Sequence, residues 1–151
     1  MFSTSTPLKI TVKARKPELI PQYATPGAAG CDVRADLKMA LTLLPGKMAK
    51  IPTGLSFEIP HGFEIQVRPR SGLASKHAIS IVNTPGTIDS DYRGEVQVLL
   101  INHSDVPFEI EPGMRIAQLI VAPVLQAEFI SADELTETLR GAQGFGHTGI
   151  N

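Results

Sequence analysis

Three stretches of this sequence carry side chains that can do chemistry at a useful spacing. The first is Gly86-Thr87-Ile88-Asp89-Ser90-Asp91-Tyr92-Arg93-Gly94-Glu95, which packs two glycine-flanked acids, an aromatic and an arginine into ten residues. Asp89 follows apolar Ile88, so one flank of its carboxylate is expected to be desolvated, the setting in which an acid becomes a useful general base. The same ten residues fit a surface bend equally well, with Asp and Gly only turning the chain.

The second stretch is Pro69-Arg70-Ser71-Gly72-Leu73-Ala74. Backbone N–H groups at a helix start, a hydroxyl, a glycine for close approach and an arginine together make a phosphate cradle. A capped turn with an exposed arginine is the plainer alternative. The third is the glycine-rich end from Arg140 to Asn151, which holds Arg140 and Phe145. Such an arm can close over a flat ligand and its anion, or it can be an ordinary disordered tail.

Two further pieces have meaning only beside these. Ala29-Gly30-Cys31-Asp32-Val33 places one carboxylate at a strand edge. Alone it reads as a turn cap or a surface residue; beside a phosphate cradle it could hold a magnesium-bound water, since Mg²⁺ prefers hard oxygen and keeps much of its hydration. Gly113-Met114-Arg115-Ile116-Ala117-Gln118-Leu119 puts an arginine and an amide in an apolar run, as ligand contacts or as a structural ion pair and a satisfied buried amide. His61, His77, His103 and His147 lack metal-ligand spacing, so a zinc site is not expected, and no serine sits in a nucleophile elbow.

The elements that must position these groups are short. Thirteen glycines and twelve prolines punctuate the chain, and apolar residues alternate with polar ones in residues 8–15, 55–59 and 63–68. Further strands are expected around residues 28–35, 41–43, 47–51, 78–82, 96–101, 108–110 and 116–124, with Val33 inward and Leu19-Ile20 anchoring a loop. Residues 78–82 and 96–101 read as the two sides of a hairpin around the Asp89 stretch. Strands at intervals of about ten residues argue an all-β barrel or sandwich. A short helix fits residues 71–77, and Ser131-Ala132-Asp133-Glu134 resembles the capping box of a weaker second one.

Composition narrows the class. A length of 151 residues suits one domain, and 42% apolar with 19% charged residues is ordinary for a soluble globular protein. Fifteen acids and fourteen bases leave a net charge of -1, so a generic grip on nucleic acid is not implied and any anion site must be local. A lone Cys31 excludes an internal disulfide and suits a reducing compartment. No secretory signal and no membrane-length apolar run is read, so a cytoplasmic enzyme or binding module without a membrane partner is expected.

In chain order these pieces resemble the five sequence motifs of the trimeric deoxyuridine triphosphatase (dUTPase) family. Ala29 to Asp32 resembles the first, Pro69 to Ala74 the second, Gly86 to Glu95 the third, Gly113 to Ile120 the fourth and Arg140 to Gly149 the fifth. The resemblance spans residues 8–149 with matching spacing. It implies a jelly-roll-like β-barrel over residues 1–139, with residues 1–6 disordered, one short helix, and a flexible C-terminal arm over 140–151. It also implies a homotrimer with active sites shared between subunits, and Mg²⁺-dependent hydrolysis of dUTP to dUMP and pyrophosphate.

On that resemblance Asp89 would activate the water that attacks the α-phosphorus. Asn83 and the backbone of Thr87, Ile88 and Asp89 would read the uracil edge, with Gln97 beside the base. Tyr92 would pack under the deoxyribose and exclude a 2′-hydroxyl. Arg70, Ser71 and Gly72 would hold phosphates with support from Gln118, and Asp32 would act on the metal through water. Phe145 and Arg140 of another subunit's arm would cover the uracil and reach the γ-phosphate. Met114, Gln143 and His147 depart from the usual residues without removing a catalytic group. Two other readings remain: dCTP deamination on the related fold, for which no further pattern is found, and a nucleotide-sensing module that signals through the arm without turnover.

Overall fold

The structure, a computed structural model, describes residues 7–144. The expectations for residues 1–6 and for Phe145 and His147 lie outside the described residues. Eleven strands and one α-helix follow in order: β1 (Thr11–Ala14), β2 (Cys31–Arg34), β3 (Leu41–Leu43), β4 (Met48–Pro52), β5 (Leu55–Glu58), β6 (Phe63–Arg68), α1 (Ser71–His77), β7 (Ile79–Ile81), β8 (Gly86–Ile88), β9 (Gln97–Asn102), β10 (Phe108–Ile110) and β11 (Arg115–Pro123). A 3-10 turn at Pro17–Leu19 buries Leu19 but leaves Ile20 exposed, so only the first of the two expected anchors reaches the core.

The strands pair antiparallel in four groups: β2-β11-β6-β8, β4-β9-β7, β1-β5 and β10-β3. They surround one apolar core in the expected all-β, jelly-roll-like arrangement, without closing into a continuous ladder among the described residues. The period-two pattern explains which face goes in. Leu55 and Phe57 of β5, Ile65 and Val67 of β6, and Val98 and Leu100 of β9 are buried, and their strand neighbours Glu58, Arg68 and Gln97 are exposed. Val33 is fully buried, as its place in the run predicts. The lone Cys31 is a core residue, and desolvation by burial pushes its thiol pKa up.

One polar side chain organises the far end. Asn102 is fully buried; its amide donates to the carbonyls of Leu43 (3.0 Å) and Val106 (2.8 Å) and its oxygen accepts from the Ser104 N–H (2.9 Å). With every hydrogen-bonding position engaged, the amide ties β9 to β3 and to the loop before β10.

The hairpin around Asp89 forms and is also more than a hairpin. Strand β7 pairs with β9, Ile79 opposite Asn102 and Ile81 opposite Leu100. The connection contains β8, which crosses to the other sheet and pairs with β6, Ile65 opposite Ile88 and Val67 opposite Gly86. The second helix is absent. Residues 131–139 form no helix, and Leu135 and Leu139 are almost wholly exposed. Thr136 and Thr138 are poor helix formers, and among the described residues nothing covers the leucines. Among the described residues no helix is long and apolar enough to cross a membrane.

Leu100, 1% exposed on the central strand of β4-β9-β7, supplies a stability test. Leu100→Ala is expected to lower the unfolding free energy by about 2–5 kcal/mol in urea titration, and Thr42→Ala on an exposed site of β3 by less than about 0.5 kcal/mol.

Candidate active site

Strand β8 is the last strand of its sheet, so one side of its backbone is free of strand pairing. Beyond that edge lies a cavity of about 310 Å³, closed on its far side by the start of β9. Asn83, Thr87, Ile88, Asp89, Tyr92 and Gln97 all line it. The edge offers backbone donors and acceptors in fixed positions, the arrangement that reads the hydrogen-bonding edge of a planar ring.

Past β8 the chain turns sharply, with the Tyr92 N–H donating to the Asp89 carbonyl at 3.2 Å. Arg93 folds back on the turn, Nη1 donating to the Ser90 carbonyl at 2.7 Å. The Tyr92 hydroxyl donates to the Glu95 carbonyl at 3.1 Å, so the ring lies across Gly94. A Cβ at Gly94 would overlap the Tyr92 ring, which is why glycine is needed there. The desolvation expected for Asp89 is not found: Ile88 turns into the core, and the alternation of the strand leaves Asp89 exposed. Any dry environment for this carboxylate has to come from what binds against it.

A second group sits on the same sheet. Gln118 on β11 stands opposite Asp32 on β2 and opposite Arg68 on β6. A bulge between Arg115 and Ala117 shifts the register there, and Arg115 Nη1 lies 3.3 Å from Asp32 Oδ2. Arg70, at the start of α1, donates from Nε to Asp32 Oδ1 at 2.9 Å and from Nη1 to the Arg115 carbonyl at 3.1 Å. Gln118 donates to the Pro69 carbonyl at 2.9 Å, which fixes the turn into α1. Gly30 makes room for this, since a Cβ there would stand 2.6 Å from Gln118 Oε1. Around Gly72, by contrast, a Cβ would meet nothing within 4 Å, so open space adjoins the first turn of α1. Two arginines thus share one half-exposed carboxylate beside an open helix start, leaving local positive charge to meet an anion.

The two groups are far apart in one chain. By the register of β6 and β8, Asp89 falls opposite Glu64, whereas Asp32 and Gln118 align with Arg68 at the other end of β6, on strands two and three places away. At roughly 3.3 Å per residue and 4.8 Å per strand, Asp89 is about 15–20 Å from the Asp32–Arg70 cluster. Among the described residues no three His, Cys, Asp or Glu side chains converge on a metal position.

A family model for dUTPase matches residues 16–149. The chain belongs to the dUTPase family. It is 61% identical over 133 residues to the deoxyuridine 5'-triphosphate nucleotidohydrolase of Chlamydia pneumoniae, covering 87% of this chain and 92% of that one. With the enzyme of the same name from Chlamydia trachomatis serovar L2 the identity is 54% over 143 residues, covering 94% and 99%. Among solved structures it is similar to the Staphylococcus bacteriophage 80alpha dUTPase with dUPNHPP, at a TM-score of 0.85 and 26% identity over 94% of this chain and 99% of that one.

Within the dUTPase frame, the residues expected from sequence fall into three places. Asn83, Thr87, Ile88, Asp89, Tyr92 and Gln97 share the cavity. Arg70, Ser71, Gly72, Gln118 and Asp32 share the arginine cluster and the helix start beside it. Arg140 lies in the exposed C-terminal segment, its Nε donating to the Gln143 carbonyl at 3.0 Å, and joins neither group. Arg115, open as a structural or a ligand residue, is an ion-pair partner of Asp32. Arg15, Asp36 and Glu95 were given no role by sequence, yet they meet behind the turn that carries Tyr92. An acid flanked by apolar Ala35 and Leu37 was the available signal.

The two glycines separate in a stability measurement. Gly30→Ala is expected to displace the Gln118 amide and cost about 0.5–1.5 kcal/mol, the worth of one hydrogen bond. Gly72→Ala, at an open helical position, is expected to stabilise by up to about 1 kcal/mol, both read from urea melts.

Proposed function

We propose that this dUTPase hydrolyses dUTP to dUMP and pyrophosphate at a site shared between subunits of a homotrimer. The observation that carries the reading is the division of the machinery. A nucleoside-sized cavity holds Asp89, and an arginine-rich anion site lies about 15–20 Å away, too far for one triphosphate to touch both within one chain. A neighbouring subunit that sets its arginine cluster against this cavity completes the site.

Uracil enters edge-on to β8, where the backbone of Thr87, Ile88 and Asp89, with Asn83 and Gln97, answers its donors and acceptors. Cytosine presents an amino donor where uracil presents a carbonyl acceptor at the 4-position and leaves a group unpaired, a cost that discriminates strongly. Tyr92 stacks under the deoxyribose and leaves no room for a 2′-hydroxyl. Asp89 holds a water in line with the α-phosphorus and takes its proton. Its carboxylate becomes desolvated when substrate and the neighbouring subunit cover it.

Arg70, Ser71 and Gly72 of the neighbour, supported by Gln118, bind the phosphate oxygens. On this reading residues 1–139 form the catalytic barrel and 140–151 an arm that brings Arg140 to the γ-phosphate and Phe145 over the base. Magnesium fits this donor set in one way only. Among the described residues no cage of carboxylates forms, so substrate phosphates would supply the direct ligands, and Asp32, with lone pairs free beyond its two arginines, would reach the ion through water. When bound, magnesium would offset negative charge on the phosphates. Otherwise catalysis rests on positioning and electrostatics, as phosphoryl chemistry requires.

The test is pyrophosphate release with Mg²⁺ across dUTP, dCTP, dTTP and UTP. Turnover is expected for dUTP with the other three far behind. Asp89→Asn is expected to lower kcat by about 10²–10⁴-fold with dUTP binding retained. Normal turnover by that variant removes Asp89 as the base, and ammonia release from dCTP replaces the reading with deamination.

A further inference from the structure

Behind the Tyr92 turn lies an ion-pair network that the proposed chemistry does not use. Asp36 follows β2 and is almost fully buried, its side chain 4% exposed. It is held by Arg15 Nη1 at 2.5 Å and Lys16 Nζ at 3.1 Å, and its N–H donates to the Pro52 carbonyl at 2.8 Å. The other arm of Arg15 reaches Glu95, Nη2 lying 3.4 Å from Oε2. Glu95 Oε1 also accepts the Gly54 N–H at 2.8 Å, and Arg15 N donates to the Gly54 carbonyl at 2.8 Å. The Glu95 carbonyl in turn accepts the Tyr92 hydroxyl.

We propose that Arg15 is a positioning residue for the sugar pocket: by bridging buried Asp36 and Glu95 it fixes the carbonyl on which Tyr92 rests. A buried carboxylate retains a cation strongly, because an uncompensated buried charge is costly. Arg15 therefore has one end anchored in the barrel, and its second end steers Glu95. Besides Arg15, the Gly54 N–H on Glu95 Oε1 ties residues 89–95 to the barrel, and their other side-chain hydrogen bonds stay within the turn among the described residues. Their next fixed point is Val96, whose N–H donates to the Leu55 carbonyl at 2.8 Å and whose carbonyl accepts the Thr53 hydroxyl at 2.6 Å. Between that point and β8 the Tyr92 ring is held by its hydroxyl and by its packing over Gly94. A shift at Glu95 moves the ring, and the ring is the wall that a 2′-hydroxyl would strike.

The inference rests on the dUTPase reading for its specificity consequence, but not for its structural one. The chain contains two tyrosines and no tryptophan, so fluorotyrosine labelling in a Tyr23→Phe background isolates Tyr92 in a ¹⁹F NMR spectrum without substrate. Arg15→Gln and, separately, Glu95→Gln, which leaves the Asp36 pair intact, are compared with the parent. Both are expected to move the Tyr92 resonance toward free tyrosine. Both are also expected to cut the dUTP-over-UTP ratio of kcat/KM by about 3–10-fold, mainly through KM for dUTP, as loss of a partly exposed ion pair allows. The double variant should be no worse than either single one, and Arg15→Lys should restore part of the ratio.

A purely structural role would lower the melting temperature and leave resonance and ratio alone. Folded single variants with an unmoved Tyr92 resonance and an unchanged ratio overturn the inference, as do additive effects in the double variant. If the parent protein does not turn over dUTP, the functional reading falls, and the Tyr92 resonance still decides the part played by Arg15.

Discussion

The pairing of β6 with β8 is the constraint on which the rest depends. Its register puts Ile88 opposite Ile65 and drives both into the core, so β8 cannot slip by one residue without turning Ile88 out to solvent. With β8 so fixed, Thr87 and Asp89 must point away from the core, and the free edge of β8 must face the cavity. The other edge of β6 pairs with β11, and that register carries Gln118 and Asp32 into line with Arg68. One strand therefore sets both groups of candidate site residues and the distance between them. The polar row on β6 runs the length of that distance: Arg68 Nε donates to Gln66 at 3.0 Å, and Gln66 Nε2 to Glu64 at 2.6 Å.

Charge is managed locally. The net charge is close to zero, yet Arg70 and Arg115 converge on the single carboxylate of Asp32. Two cations on one acid hold each other's geometry and leave an excess positive charge that can meet an anion. The Arg15–Asp36 pair solves a different problem, since its acid is buried and the arginine reaches out from it to Glu95. On the proposed reading one network faces an anion, and the other stiffens a turn.

Much of this was legible in the sequence. Alternation in residues 8–15, 55–59 and 63–68 and apolar runs between turn signals elsewhere located every strand except β8, and the helix at residues 71–77 was visible from the proline before it and the absence of β-branched residues. Of the cavity residues, Thr87 to Tyr92 were legible as one stretch because β8 and its turn are contiguous, whereas Asn83 and Gln97 came only with the family resemblance. What could not be read came from sequence-distant partners. Nothing near Arg15 reveals that Glu95, eighty residues on, will lie against it. Nor does the sequence reveal that residues 86–88 form a strand, and it is the alternation of that strand that turns Ile88 inward and leaves Asp89 exposed. The missing helix at 131–139 has the same cause: Leu135 and Leu139 mark an apolar face, but a face makes a helix only where something covers it.

The central claim is that one chain carries two half-sites of the proposed homotrimer, and mixed assemblies of two variants test it directly. Asp89→Asn and Arg70→Ala proteins, each inactive alone, are unfolded, mixed in equal amounts and refolded together, and dUTP hydrolysis is followed. If Asp89 of one subunit works with Arg70 of the next, about a quarter of the sites in random trimers pair an intact cavity with an intact arginine cluster, and activity returns toward that fraction. Activity that stays at the level of the separate variants, in trimers shown to contain both chains, would contradict the account.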